Sequence, residues 1–458
     1  MMKFRNPETP SYGLLRQLRI VIDPWIAIPA LLILSASLIA LFSVVYHPIA
    51  FEINPGLAKD ISTPFTKHLL WGLFGMAGMT FIAFAKTDSL KNNWVWIYLS
   101  GIILLLAVLF FGIKVRNIRA WLSIGLLTFQ PSELVKAILV ISLSAYLAKK
   151  ERREKRLRSL IVTAVLVGIP AVLVLKQPDM GTVIVYLSLL LTLPFIAGLP
   201  ARYMVLIVIS GMLSGLRLLL GIAAEHPEIV QQGSMPAVIV DPTLSYKTFA
   251  VLGIIGAVVA LTMRLLRMKN AFCIFLYFVL PIAAVSSSFI LTEHLKDYQK
   301  TRLLSFIAPQ LDPKGSGYNI IQSRIAFGSG GVLGKGIRGA TQSSLGFLPE
   351  RQTDFIFSVI GEVFGFAGTV IVISAFLILC LRILWIAANA RDRFGSILAA
   401  GVFTIMLTHI IINMGMAVGI MPIMGIPLPL ASYGGTAMVS IFIMLGLVLA
   451  VERESRLV

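Results

Sequence analysis

Long apolar runs recur along the chain, separated by short polar segments. The runs lie near 25–46, 68–85, 94–113, 132–148, 159–175, 181–198, 203–222, 247–263, 271–292, 355–381, 396–418 and 436–450. Each is close to the roughly 17 to 25 residues that a helix needs to cross hydrocarbon. The pattern predicts an all-α, polytopic transmembrane bundle of about twelve spans in one domain, 1–458, with both termini on the same side. One gap is much longer than the others, and it predicts a single long polar loop over 294–354.

Composition excludes a water-soluble fold. Hydrophobic residues make up 57% of the chain and charged ones 13%, where an ordinary soluble domain carries roughly 25% charged residues. Two cysteines, Cys273 and Cys380, sit far apart inside apolar runs, which suggests core residues rather than a disulfide framework or a thiolate metal site. The first run follows basic residues and ends near Tyr46 without a small-residue cleavage site. A retained first helix is therefore expected instead of a removed signal peptide.

Charge sets the expected orientation. Lys3, Arg5, Arg16, Arg19, the run Lys149, Lys150, Arg152, Arg153, Lys155, Arg156 and Arg158, and then Arg264, Arg267 and Lys269 all fall on one side of the predicted spans. The positive-inside rule makes that side, with both termini, cytoplasmic. The net charge of +18 thus has mostly a membrane meaning, and the missing aromatic interleaving argues against nucleic acid. The long loop, extracytoplasmic on this map, breaks the rule with Lys296, Lys300, Arg302, Lys314, Arg324, Lys335, Arg338 and Arg351 against few carboxylates. An anionic ligand such as a phosphorylated lipid headgroup would explain it, as would a solvated loop over anionic lipid.

Candidate chemistry gathers at the same side. Asp312 precedes Pro313, Gly315 and Gly317 among basic residues, where a bound hydroxyl could approach it; an Asx-turn residue bonding its own backbone is the other reading. A helical stretch follows, with Ile321 and Ile325 on one face, and then Gly328, Gly330, Gly331, Gly334 and Gly336 keep the backbone close to whatever it touches. This is not a nucleotide P-loop, because Gly336 follows Lys335 where Ser or Thr is required. Pro131 and Ser132 suit a helix start, and Glu133 and Lys136, three apart, share a face and can pair inside the fourth span or at its rim. Asp179 lies at the mouth between the fifth and sixth spans. His409 and Asn413, four apart, suit buried interhelical hydrogen bonds, and Arg217, near a span end, suits snorkelling. No dense cluster of carboxylates, His or Cys argues for a protein metal cage.

These residues resemble the SEDS family of bacterial cell-wall polymerases. The similarity runs in order through Arg119-Ala-Trp121, Phe129-Gln-Pro-Ser-Glu133, Gln177-Pro-Asp-Met-Gly181, Asp312-Pro-Lys-Gly-Ser-Gly-Tyr318, Gln322-Ser323 and Gly328-Ser-Gly-Gly331. It continues in Phe347-Leu-Pro-Glu-Arg-Gln-Thr-Asp-Phe355, Gly361-Glu362 and Pro427-Leu-Pro-Leu-Ala-Ser-Tyr-Gly-Gly435. Ile426-Pro-Leu-Pro-Leu430, Glu350-Arg351 and Asp297-Tyr-Gln299 resemble the elongation branch more than the division branch. Three departures stand out: Gln352 where the family usually has His, Val363 where a second Glu is common, and an extra segment near 203–263. That segment reads as two helices added to the usual ten spans, joined by a loop from Glu225 to Tyr246.

The resemblance implies a peptidoglycan glycosyltransferase of the bacterial cytoplasmic membrane that polymerises lipid II during wall elongation and releases undecaprenyl pyrophosphate. By that similarity Asp312 is the essential loop aspartate, a base for the attacking sugar hydroxyl. Glu133, Lys136 and Asp179 match the family's other acidic and basic positions. Arg119, Lys136 and Arg302 would stabilise the departing diphosphate, with Gln322, Ser323 and Lys335 also at the substrate. A divalent cation, Mg or Mn, would be held mainly by the substrate pyrophosphate. The implied partners are lipid II, the nascent strand, a class B penicillin-binding protein, elongation-complex proteins and membrane lipid. A lipid-precursor flippase and a non-catalytic scaffold are the alternatives, but a transporter should place its decisive charges near the bilayer midplane.

Overall fold

A computed structural model describes residues 23–45, 57–115, 118–124, 127–149, 156–224, 242–265, 271–295, 297–312 and 315–456. Lys3, Arg5, Arg16, Arg19, Lys150, Arg152, Arg153, Lys155, Arg267, Lys269, Lys296, Pro313, Lys314 and the segment 225–241 lie outside them. In chain order the helices before the sheet are α1 (Pro24–Val45), α2 (Leu57–Ala83), α3 (Thr87–Asn92) and α4 (Trp94–Phe111). Strands β1 (Ile113–Val115), β2 (Ile118–Ile124) and β3 (Leu127–Phe129) come next. They are followed by α5 (Pro131–Ala148), α6 (Arg156–Leu175), α7 (Met180–Ile196), α8 (Ala201–Ala224), α9 (Pro242–Leu265) and α10 (Ala271–His294). The long loop holds α11 (Asp297–Ile307), α12 (Ser316–Gly330), α13 (Gly336–Gly339) and α14 (Thr341–Ser344), and α15 (Ile356–Ala388), α16 (Arg393–Val418) and α17 (Gly435–Arg456) close the chain.

All twelve apolar runs are helical, because a chain in hydrocarbon must satisfy its backbone internally. Among the described residues, eight helices are long and apolar enough to cross a membrane by length and composition, or nine if α10 and α11, which meet at 114°, form one broken span. Helix α9 begins at Pro242, so it takes in part of the segment expected as loop up to Tyr246. Antiparallel strands β1, β2 and β3 form a small meander between α4 and α5, an addition to the helical bundle that the apolar pattern does not mark. The β2 strand pairs with β1 through its first half and with β3 through its second, so neither pairing is long enough to leave a clear alternation.

The core forms around α5, which is buried along most of its length and packs against α4, α7, α16 and α17. Glycines let neighbouring helices approach closely. A Cβ at Gly75 of α2 would lie 2.3 Å from Phe442 of α17, and one at Gly446 of α17 would lie 2.6 Å from the Met79 carbonyl of α2. Helices α8 and α9 pack on α10, and Ile222, Leu295 and Leu304 form a small apolar cluster separate from the main core. Arg217 of α8 does not snorkel. It is buried, donates to Thr292 Oγ1 at 2.8 Å and stacks on Phe289, since a guanidinium offered an aromatic face and a hydroxyl inside the bundle gains more there than at the rim.

Contacts at the helix ends agree with an alternating path. At one end Lys91 pairs with Asp392 at 3.1 Å, and Arg382 joins Asp23 to Glu452. At the other end Gln130 N–H donates to Thr436 Oγ1, and Asn413 donates to the Asp354 carbonyl. The sheet, the long loop and the segment 419–434 therefore gather at this second end.

Helix α15 is broken at Gly365, whose φ of 67° and ψ of −163° only glycine adopts readily. The Gly-rich run of the long loop fills the break. Gly331 and Val332 carbonyls accept from Phe366 and Ala367 at 2.9 and 3.0 Å, and Lys335 N–H donates to the Glu362 carbonyl at 2.9 Å. A Cβ at Gly330 would lie 2.1 Å from the Gly361 carbonyl and one at Gly334 would lie 2.2 Å from that of Val363. What this run touches is thus the backbone of α15, whose freed donors need partners.

Candidate active site

Asp312 follows a single 3₁₀ turn, Pro309–Leu311, between α11 and α12. Its half-buried carboxylate accepts from Ser305 Oγ at 3.1 Å and, at 3.4 Å, from the N–H of Gly317 in the first turn of α12. A helix N-terminus favours an anion at that place. Gly317 is required by the turn, since a Cβ there would lie 2.1 Å from the Pro309 carbonyl. Gly315 has a different effect: a Cβ would lie 2.6 Å from both carboxylate oxygens. The carboxylate therefore has backbone and hydroxyl partners on one side and a glycine beside it on another. The capping reading of Asp312 and the reactive one meet in the same geometry.

The basic residues of the loop differ in their exposure and surroundings. Arg302 on α11 and Arg338 on α13 are exposed. Arg324 of α12 donates to the Val418 and Gly419 carbonyls at 3.3 and 3.0 Å, closing the C-terminal end of α16. Arg351 donates to the Ser343 carbonyl at 2.5 Å, and burial lowers its guanidinium from the ordinary value. Lys335 Nζ lies 3.8 Å from Glu362, whose fully buried carboxylate accepts from Gln342 N–H, Ser343 N–H and Ser343 Oγ at 2.6 to 2.9 Å. Part of the loop's positive charge thus serves its own anchoring. Gln322 is half-buried on α12, whereas Ser323 is buried and bonded to Ser358 Oγ and the Ala417 carbonyl. The buried face of α12 carries Ile320 and Ser323; Ile325, expected to share an apolar face with Ile321, is exposed. The helix turns this way because Ser323 reaches carbonyl and hydroxyl partners on α15 and α16.

A second cluster lies within the bundle at the same end. Pro131 opens α5 as its first residue, and one turn in, Glu133 and Lys136 form a buried ion pair at 2.7 Å. Lys136 does not snorkel to the rim; its Nζ also meets His409 Nε2 at 3.0 Å, and His409 Nδ1 lies 2.8 Å from the Pro427 carbonyl. Asn413, one turn along α16, donates to the Ile426 and Asp354 carbonyls at 2.8 and 3.0 Å. Asp179 caps α7 through Thr182 N–H and Thr182 Oγ1, and it accepts from Gln130 Nε2 at 3.1 Å. Glu133, His409, Pro427, Leu428 and Ser432 line a small cavity there.

The structure thus joins Glu133 and Lys136, ties Asp179 to the residue before α5, and keeps both apart from Asp312. Among the described residues no hydrogen bond or ion pair links the two clusters directly. Helix α16 connects them, since it holds His409 and Asn413 and also accepts from Ser323 of α12. Arg119 is exposed on β2, in register with Lys114. Three partners escaped the sequence reading: Ser305, which no motif marks; Gln130, which stands inside a quoted motif; and His409 as the second neighbour of Lys136. Among the described residues no group of three His, Cys, Asp or Glu is arranged to hold a metal ion. The donor set at Asp312 is one carboxylate and a hydroxyl, which suits an ion whose other ligands come from a diphosphate.

A family model described as cell cycle protein, FtsW/RodA/SpoVE, matches residues 29–232 and 234–457. The peptidoglycan glycosyltransferase RodA of Treponema pallidum is 34% identical over 86% of this chain and 90% of its own. The peptidoglycan glycosyltransferase MrdB of Escherichia coli K12 is 33% identical over 79% of this chain and 78% of its own. Among solved structures, a peptidoglycan synthase complex described as coordinating polymerization and crosslinking matches with a TM-score of 0.65 at 24% identity, over 94% of this chain and 98% of that one. The rod shape determining protein RodA of Thermus thermophilus matches with a TM-score of 0.58 at 21% identity, over 94% and 97%. The two structural likenesses show a shared fold.

Proposed function

The chain belongs to the FtsW/RodA/SpoVE family, and from that premise we propose that it is a peptidoglycan glycosyltransferase that polymerises lipid II during cell-wall elongation. The observation that carries the reading from family to residues is Asp312. It is a half-buried carboxylate at a turn, with Gly315 rather than a side chain beside both its oxygens. The reaction forms a bond from a sugar hydroxyl to an anomeric carbon and breaks the bond from that carbon to the diphosphate of an undecaprenyl pyrophosphate donor. Asp312 takes the hydroxyl proton, a role worth typically ~10² to 10⁴ in rate.

The leaving diphosphate needs positive charge. Arg302 and Arg119 are exposed and so can approach it, while Lys136 acts from inside the bundle, paired with Glu133. A divalent cation, Mg or Mn, entering with the diphosphate would supply further neutralisation, with Asp312 placed to share it. The loop 294–354 faces outward from the bacterial cytoplasmic membrane, and both termini face the cytoplasm. A class B penicillin-binding protein cross-links the strands, within a larger elongation assembly. Residues 203–263 are an addition to the family's ten spans, in which α8 and α9 pack mainly on α10.

Purified protein given lipid II and Mg²⁺ or Mn²⁺ should make glycan strands resolvable on a gel. Asp312→Asn should leave the thermal midpoint within a few degrees and lower synthesis by about 10² or more. Lipid II that crossed vesicles without being polymerised would replace this reading with a transporter.

A further inference from the structure

We infer that His409 is a positioning residue for this reaction: it holds the Lys136 ammonium against Glu133 and ties that ion pair to the Ile426–Leu430 turn. The inference rests on the polymerase reading for its functional half and on geometry alone for its structural half. Pro427 offers His409 Nδ1 a carbonyl oxygen at 2.8 Å, which only accepts, so the ring proton sits on Nδ1. The other nitrogen, Nε2, then presents a lone pair. Facing it at 3.0 Å is the Lys136 ammonium, which only donates. One tautomer, the neutral one with hydrogen on Nδ1, satisfies both contacts, and a protonated ring would set two donors against each other.

The consequence is a fixed chain. Glu133 Oε2 meets Lys136 Nζ at 2.7 Å, Lys136 meets His409, and His409 meets the Pro427 carbonyl. Every member is buried: Lys136 is 1% exposed, His409 1% and Glu133 4%. A four-carbon lysine stem has wide freedom, and one carboxylate alone does not fix it. The imidazole supplies the second acceptor, from α16. It also carries any movement of the 426–430 turn to the charge, because that turn is clamped from the same helix by Asn413 on the Ile426 carbonyl. A second-partner role of this kind changes where a charge sits, not how substrate is held. It should therefore act on turnover more than on substrate affinity.

Two amides separate the contacts. An asparagine at 409 reaches as far as Nδ1 and can keep the bond to Pro427, but it falls short of Lys136; a glutamine reaches as far as Nε2 and can accept from the ammonium. Lipid II polymerisation by His409→Gln should exceed that by His409→Asn, which should lose about 10- to 100-fold in kcat relative to the parent with KM within about 2-fold. Equal activity of the two variants overturns the proposal.

The stability arm needs no activity. In detergent His409→Gln should unfold at a higher temperature than His409→Asn, and the gap should vanish when each is combined with Lys136→Met. A gap that persists with Lys136→Met overturns the proposal even if synthesis behaves as expected. If the parent protein makes no strands, the polymerase reading falls, and this thermal cycle still decides whether His409 holds Lys136.

Discussion

At the scale of single residues, the loop carboxylate depends on two glycines for different reasons. Gly317 lets the turn close, whereas Gly315 keeps space beside the Asp312 oxygens, 2.6 Å from where a Cβ would stand. Gly315→Ala should therefore push the carboxylate away from Ser305 and Gly317 N–H while leaving the membrane core intact. Because a misplacement of about 1 Å can cost on the order of 10²-fold in rate, synthesis should fall by about that much with the midpoint of unfolding little changed. A variant that polymerised lipid II at the parent rate would show that the carboxylate's position is not set here. Asp312 and the Glu133–Lys136 spacing were both legible in the sequence, since a turn with two glycines and an i,i+3 pair are local signals. His409 as the partner of Lys136 was not, because 273 residues separate them. Only the packing of α16 on α5 brings an ordinary-looking core histidine to that ammonium.

Among the elements, the broken helix α15 explains the glycines that the loop sequence displays. Helices were legible wherever hydrocarbon forces backbone groups to pair within one segment. The exceptions are the places where pairing crosses between segments: the β1–β3 meander, and the insertion of Gly331 to Lys335 at Gly365. In the sequence, the Gly-rich run was compatible with closeness to any backbone or ligand, and hydropathy carries no sign that a span is interrupted. Gly365→Ala tests the break. Its φ of 67° with ψ of −163° would strain alanine by about 1–3 kcal/mol. In addition, the new Cβ would stand 2.2 Å from the Gly334 amide nitrogen. The loop should be expelled from α15, so a protease added to purified protein should cut between Gly331 and Lys335 in the variant well before it cuts there in the parent. Equal resistance would mean that the loop is held by Glu362 and the helices α13 and α14 without the break.

For the molecule as a whole, the decisive geometry is that the chemistry-bearing residues share one end of the bundle. Asp312, Glu133, Lys136 and Asp179 all lie where α5, α7, α15 and α17 begin and α10 and α16 end. The opposite end is laced by ion pairs among Asp23, Lys91, Arg382, Asp392 and Glu452. Connectivity fixes that the two ends differ. The side each one faces comes from the charge of the short loops, an argument independent of the packing. The two are tested together by placing one cysteine at each end of a chain whose own Cys273 and Cys380 are replaced by alanine. Leu333, 82% exposed in the loop, and Asn389, exposed after α15, are suitable positions. In intact cells a membrane-impermeant maleimide should label Leu333→Cys and spare Asn389→Cys, and after lysis both should react. The reverse pattern would put Asp312 on the same side as the nucleotide pool and away from any exported sugar chain. A carboxylate there could not serve a strand growing outside the membrane, whatever its local geometry, so this orientation is the condition on which the chemistry of the site depends.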